Sequence, residues 1–205
     1  MRLSRIEKHI ASAAIAAGMV GAANAAIITW NINAAIPANL DGLYIKIDTQ
    51  QTAALGSSLA GWDINPYGAT TLNFFASSTA PNPATTYVRN GATGGPSSLA
   101  AGTVISGAST FANSTTAVIS SGGVGSQGWS LNSVNYFGFR FHNNTTGAIN
   151  YGFGAMQVGG SATARTLLFI QYGDAGESVT VGPIPAPGAL ALLGVAGLAG
   201  RRRRA

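Results

Sequence analysis

Apolar and polar residues alternate with a period of two over residues 43–48, where Leu43, Ile45 and Ile47 interleave with Tyr44, Lys46 and Asp48. The same period returns at Phe137, Phe139 and Phe141, which interleave with Tyr136, Gly138, Arg140 and His142. A strand turns successive side chains to opposite faces, so both segments are predicted as strands with one buried face. Apolar stretches at residues 27–32, 71–76, 85–89, 102–105, 117–120, 149–158, 166–172 and 178–181 are further strand candidates, separated by Gly, Asn, Ser, Thr and Pro. His142-Asn143-Asn144-Thr145-Thr146-Gly147 joins two of them and supplies Asn and Gly that tolerate positive φ, which predicts a β-hairpin. Residues 77–102, rich in Ser, Pro, Gly, Ala and Thr, are expected to form an exposed loop carrying one edge strand.

Short strands, frequent turns and no helical period away from the ends indicate an all-β fold, an antiparallel β-sandwich of jelly-roll-like type. The expected core comprises Trp30, Leu43, Ile45, Trp62, Leu72, Phe74, Trp129, Phe137, Phe139, Phe141, Phe153, Leu167 and Phe169. No internal repeat at a fixed period is visible.

The two ends break this pattern. Residues 1–9 carry Arg2, Arg5 and Lys8, residues 10–22 are Ala-rich and uncharged, and Ala23-Asn24-Ala25 places small residues at both positions a signal peptidase reads. This predicts a secretory signal peptide over residues 1–25, cleaved after Ala25. Its apolar run of about 13 residues falls short of the roughly 20 needed to span a bilayer. At the other end, Pro183, Pro185 and Pro187 deny the chain helical hydrogen bonds and keep a linker extended. Residues 188–200 then run without a charge to Arg201, Arg202, Arg203 and Arg204. As a helix this run spans roughly 20 Å against a bilayer core of roughly 30 Å, and the arginines hold to the cytoplasmic side. It is suited to transient membrane association. Residues 26–182 are left as a single body and residues 183–205 as a C-terminal signal.

Pro185-Ala186-Pro187, the run Gly188-Ala189-Leu190-Ala191-Leu192-Leu193-Gly194 and the arginine cluster together resemble the tripartite PEP-CTERM sorting signal. That resemblance implies recognition by an exosortase, an integral membrane protease of bacteria that make exopolysaccharide, with cleavage near the Pro motif. Ala186 stands where the family has Glu; either the matching enzyme accepts Pro-Ala-Pro or processing is weak. Within the body, residues 61–68, residues 134–141 and residues 150–154 resemble segments of extracellular domains that end in such signals. In those relatives a "YFGFRF … YGW" hairpin is followed by a strand and a short acidic loop. Residues 166–172 and Asp174-Ala175-Gly176-Glu177 match the latter two, and Phe153 replaces the usual Trp.

Charge changes meaning once the ends are set aside. The whole chain carries a net +5, but Lys46, Arg89, Arg140 and Arg165 against Asp41, Asp48, Asp63, Asp174 and Glu177 leave the body at −1. A body without a basic patch is not a nucleic-acid binder. Its surface must be covered mainly by uncharged polar groups, which favours contact with material such as polysaccharide. With no cysteine, disulfides, thiolate metal sites and cysteine nucleophiles are excluded.

Candidate chemistry is sparse. His142 is the body's lone histidine and sits beside a turn, so no triad can be built. A secreted glycan hydrolase needs two carboxylates across a cleft, and spacing identifies no such pair. Calcium could join Asp63 with Asn65, or Asp174 with Glu177, but neither stretch has the acidic density of a dedicated loop. No cofactor and no metal is expected. Trp62, Tyr67 and Trp129 are candidate glycan contacts, since exposed aromatics stack on pyranose faces. Asn113, Asn143 and Asn144 open Asn-X-Ser/Thr acceptor patterns. The expectation is a non-enzymatic envelope or exopolysaccharide-associated protein, with a carbohydrate-binding module as the alternative and a glycan hydrolase third. Its partners would be signal peptidase, an exosortase-type protease and exopolysaccharide.

Overall fold

A computed structural model describes residues 26–77, 85–91 and 94–183. The segments holding Ala23 and Ala25, and Pro185, Ala186, Pro187 and Arg201 to Arg204, lie outside the described residues, as do both expected terminal helices.

Among the described residues the chain forms β1 (Ile28–Ala35), β2 (Tyr44–Lys46), β3 (Gln51–Ala53), β4 (Ile64–Tyr67), β5 (Asn73–Ala76), β6 (Thr86–Val88), β7 (Val104–Ile105), β8 (Phe111–Ala112), β9 (Ser133–Asn143), β10 (Ala148–Val158), β11 (Arg165–Tyr172) and β12 (Val179–Thr180). The one helix among them is a single 3-10 turn, Gly56–Ser58, and none is long and apolar enough to cross a membrane. The fold is all-β, and every pairing is antiparallel. One sheet runs β1-β11-β10-β9-β6-β8, a second runs β3-β2-β4-β5, and β12 pairs with β7.

The β9–β10 hairpin is the longest ladder, running from Ser133↔Val158 to Asn143↔Ala148. Its turn closes where Gly147 takes φ +72, a value glycine adopts without the Cβ penalty. Alternation sends Phe137, Phe139 and Phe141 to one face of the large sheet, where they join Ile45, Ile47, Ile64, Leu72 and Phe74 of the small-sheet region in one buried cluster. Phe74 marks the meeting point, its ring 5.0 Å from Phe137, 5.4 Å from Tyr87 and 5.2 Å from Trp129. The opposite face of the large sheet buries Phe153, Ala155 and Phe169 under Leu99, Ile105, Val179 and Val181.

Glycines in the hairpin are matched to phenylalanines across the ladder. Phe137 pairs with Gly154, Phe139 with Gly152, and Phe153 with Gly138. A Cβ placed on Gly154 would come within 2.4 Å of the Phe137 ring, and one on Gly152 within 2.7 Å of Phe139. The rings therefore occupy the space a side chain on the next strand would need, which restores apolar cover over strand positions that glycine alone leaves bare. On the other face, the space over Gly138 is filled by Ile105, Val88 and Leu99.

In β11 the register shifts so that Leu168 is extra between Leu167↔Met156 and Phe169↔Ala155. Leu167 thus joins the first cluster and Phe169 the second, although strict alternation would put both on one face.

Some expectations are corrected. Residues 77–102 are not simply an exposed loop with an edge strand: β6 lies between β9 and β8, and Tyr87, 1 % exposed, sends its hydroxyl to the Phe75 carbonyl at 2.8 Å. Ser97 and Leu99 are buried too. Residues 117–120 form no strand and make isolated bridges through Ile119 to Leu72 and Gly125. Trp30 and Trp62 are half-buried rather than central.

Candidate functional site

The outer face of the small sheet carries an aromatic patch. Ile45 points inward from β2, so Tyr44 and Lys46 point outward; Phe74 and Ala76 point inward from β5, so Phe75 points outward. Trp62 lies just before β4 and between them, its ring 5.0 Å from Tyr44 at 71° and 5.8 Å from Phe75 at 46°. Phe75 is 39 % exposed, and Tyr44 and Trp62 are half-buried. The 3-10 turn packs onto this group through Gly56, where an added Cβ would meet the Tyr44 ring at 2.8 Å. The inclined rings form a corner rather than a plane, a shape that fits one sugar ring or one apolar side chain.

The three sequence-predicted aromatics do not converge. Trp62 and Tyr67 stand at opposite ends of β4. Trp129 is taken by the core: it is 3 % exposed, stacks on Phe137, and its indole N–H donates to the Pro96 carbonyl at 2.7 Å. A ring so placed offers no face to a glycan. Tyr44 and Phe75, which do accompany Trp62, were not candidates, because only the strand order brings them there.

The carboxylates mostly hold backbone. Asp63 is 1 % exposed and accepts the Ile47 N–H at 2.8 Å. Burial pushes it up to about 7, opposed by that N–H and reinforced by the charge of Asp48. Asp48 accepts the Asn144 N–H at 3.1 Å, tying the β9–β10 turn to the segment after β2. Asp174 accepts the Ala26 N–H at 3.2 Å, and its carbonyl accepts the Glu177 N–H at 3.0 Å within a turn. His142 Nδ1 donates to the Asn144 side-chain oxygen at 3.1 Å. The Asp63–Asn65 pair that calcium could have joined is spoken for, since Asn65 donates to the Asp41 carbonyl at 2.7 Å. No group of three or more His, Cys, Asp or Glu that could hold a metal ion occurs among the described residues.

Arg165 was not singled out by sequence, yet its side chain is heavily engaged. Buried at the start of β11, its guanidinium donates to the carbonyls of Pro37, Tyr67, Gly68, Thr71 and Ala162. Burial lowers its pKa to about 10, which still leaves it charged at neutral pH. It staples the β1–β2 connection and the β4–β5 turn to the large sheet, a structural role. Asn143 and Asn144 use their side chains in local hydrogen bonds, and Asn113 donates to the Thr85 carbonyl at 3.3 Å.

Protein-family models, curated proteins and solved structures alike yield no match to this chain.

Proposed function

We propose that the chain is an exported, non-enzymatic β-sandwich protein of the cell envelope or exopolysaccharide matrix, sorted by an exosortase-type membrane protease. One observation carries this reading. After β12 ends at Thr180, Pro185-Ala186-Pro187, the uncharged residues 188–200 and Arg201 to Arg204 follow in that order. A Pro-spaced linker, an uncharged run too short to span a bilayer and a cationic stop are what a protease in the membrane needs to catch a substrate briefly from the outer side.

The sandwich reading is supported by the single apolar layer that the large sheet and the four-stranded sheet share through Phe137 and Phe74. Its jelly-roll likeness is limited, because β9, β10 and β11 follow one another as neighbours in one sheet. The non-enzymatic reading is supported by the use of Asp48, Asp63 and Asp174 as acceptors for backbone N–H groups.

Mass spectrometry of the protein from its own host tests the sorting. A surface fraction whose C-terminus lies upstream of residue 188, and whose N-terminus is Ala26, is expected. A surface fraction still carrying Arg201 to Arg204 would overturn it. A second reading, a carbohydrate-binding module, is favoured by the Tyr44, Trp62 and Phe75 corner. Saturable binding on a glycan array, lost on Trp62→Ala with the melting midpoint kept, would promote it over the first.

A further inference from the structure

The body buries two arginines, and they are treated differently. Arg165 gives its terminal nitrogens to five carbonyls. Arg89 is also buried, at 9 % exposed against 3 % for Arg165, but among the described residues its side chain makes a single long contact, from Nη2 to the Gly91 carbonyl at 3.3 Å. Its Nε is buried without a partner, as is that of Arg165, and no carboxylate among the described residues pairs with it. A guanidinium stays charged at any physiological pH, so burying its Nε without an acceptor is unfavourable, and its terminal nitrogens keep donors to offer.

Arg89 lines a cavity of about 600 Å³ between the end of β6, the start of β7 and the segment before β8. The backbone there is fixed: Arg89 N–H donates to the Thr110 carbonyl at 3.0 Å, and Asn90 N–H donates to Ser97 Oγ at 2.9 Å. Besides Arg89, the wall carries Asn90, Thr103, Ser109 and Thr110, and the apolar Val88 and Val104. It holds one positive charge, four neutral side chains able to hydrogen-bond, and no acid. A second cavity, of about 390 Å³, is lined by Thr70, Ser121, Leu131 and Ser161 among others and has no charged side chain.

We propose that the Arg89 cavity is a binding site for a sugar carboxylate, one uronic acid unit of an acidic polysaccharide. A planar guanidinium matches a carboxylate with two parallel N–H···O bonds. One cation and no anion suit a single negative charge, whereas a phosphate, near −2, calls for more than one cation or a nest of backbone N–H groups. The hydroxyls and the amide around Arg89 suit ring hydroxyls, and the volume lies within the range of small-molecule sites. This names a ligand class within the surface reading above and rests on that reading only for where such a polymer is met.

Titration calorimetry of the purified full chain with trigalacturonate, cellotriose, sodium acetate and inorganic phosphate tests it. Saturable binding of trigalacturonate alone is expected, weakened at least about tenfold by Arg89→Gln, the worth of a charge-assisted hydrogen bond. Because a buried arginine variant can fail to fold, Val104→Trp provides the second arm. Val104 is 56 % exposed at the rim, so the larger ring fills the entrance without disturbing the core and should also abolish binding. Leu40→Ala, at an exposed position outside the cavity lining, should leave it unchanged. Absence of binding by the parent chain, binding that survives Val104→Trp, or equal binding of cellotriose, acetate or phosphate would each overturn the site. C-terminal processing plays no part in the titration, so sorting and sugar binding can fail separately.

Discussion

The backbone nitrogen of Ala26 donates to Oδ2 of Asp174 at 3.2 Å, joining residues 148 positions apart at the entrance to β1. Cleavage after Ala25, as proposed, turns that amide into an α-ammonium, so a neutral donor facing a carboxylate becomes an ion pair. Asp174→Asn is expected to destabilise the chain beginning at Ala26 by about 0.5 kcal/mol in low salt, with the difference vanishing in 1 M salt, because the pair is exposed and screened. In the uncleaved precursor the same substitution should cost less. Denaturant unfolding of both forms checks this.

Asp63 makes stability depend on pH in an uncommon direction. Its folded pKa is raised to about 7 from 3.8, so between those values the folded protein keeps a proton that the unfolded chain releases. The stabilisation is therefore fully present below about pH 4 and is lost as pH climbs through 7, amounting to a difference on the order of 4 kcal/mol. Asp63→Asn keeps an acceptor for the Ile47 N–H but cannot ionise. Its unfolding free energy, compared with the parent at pH 5, 6.5 and 8, should gain on the parent as pH rises.

Gly154→Ala should cost about 1–3 kcal/mol, the range for forcing atoms into a packed core, even though it stiffens the unfolded chain. The added methyl falls 2.4 Å from the Phe137 ring. Phe137→Leu in the same chain should recover part of that loss. A double-mutant cycle in urea would show the coupling, and strict additivity would mean the ring does not occupy the glycine's space.

Arg165→Lys should destabilise by at least about 3 kcal/mol, because one ammonium with three protons cannot serve five carbonyls spread over three segments. Amide exchange should rise first at Gly68 and Leu72, in the turn the guanidinium holds.

How far the sequence could be read depended on how local each feature was. The strands β9, β10 and β11 and their hairpin were legible because alternation and an Asn-rich turn are properties of neighbouring residues. By contrast, β4 carries Asn65 and Pro66 buried beside Ile64, and only the hydrogen bond from Asn65 to Asp41 makes that burial tolerable. Residues 77–102 looked like loop because little in them is apolar, yet Tyr87 packs against both Phe74 and Phe137 in the core. At the aromatic patch Trp62 was foreseeable, while Tyr44 and Phe75 arrive from strands whose adjacency no local pattern states. Arg89 and Arg165 looked alike in the sequence, and only the number of acceptors around each separates staple from site.

The strand β12 has a mechanical consequence. It is two residues long and is held to β7 by Val179↔Ile105 and Thr180↔Val104, with Val181 N–H on the Thr103 carbonyl beside them. When the protein is held by its C-terminal segment, drag on the body loads this short ladder from its exit end, one bond at a time. It would part there, drawing Val181 and Val179 from the second cluster, before force reached β10 and β11. In that event β12 would act as a fuse for the β9, β10 and β11 ladders behind it.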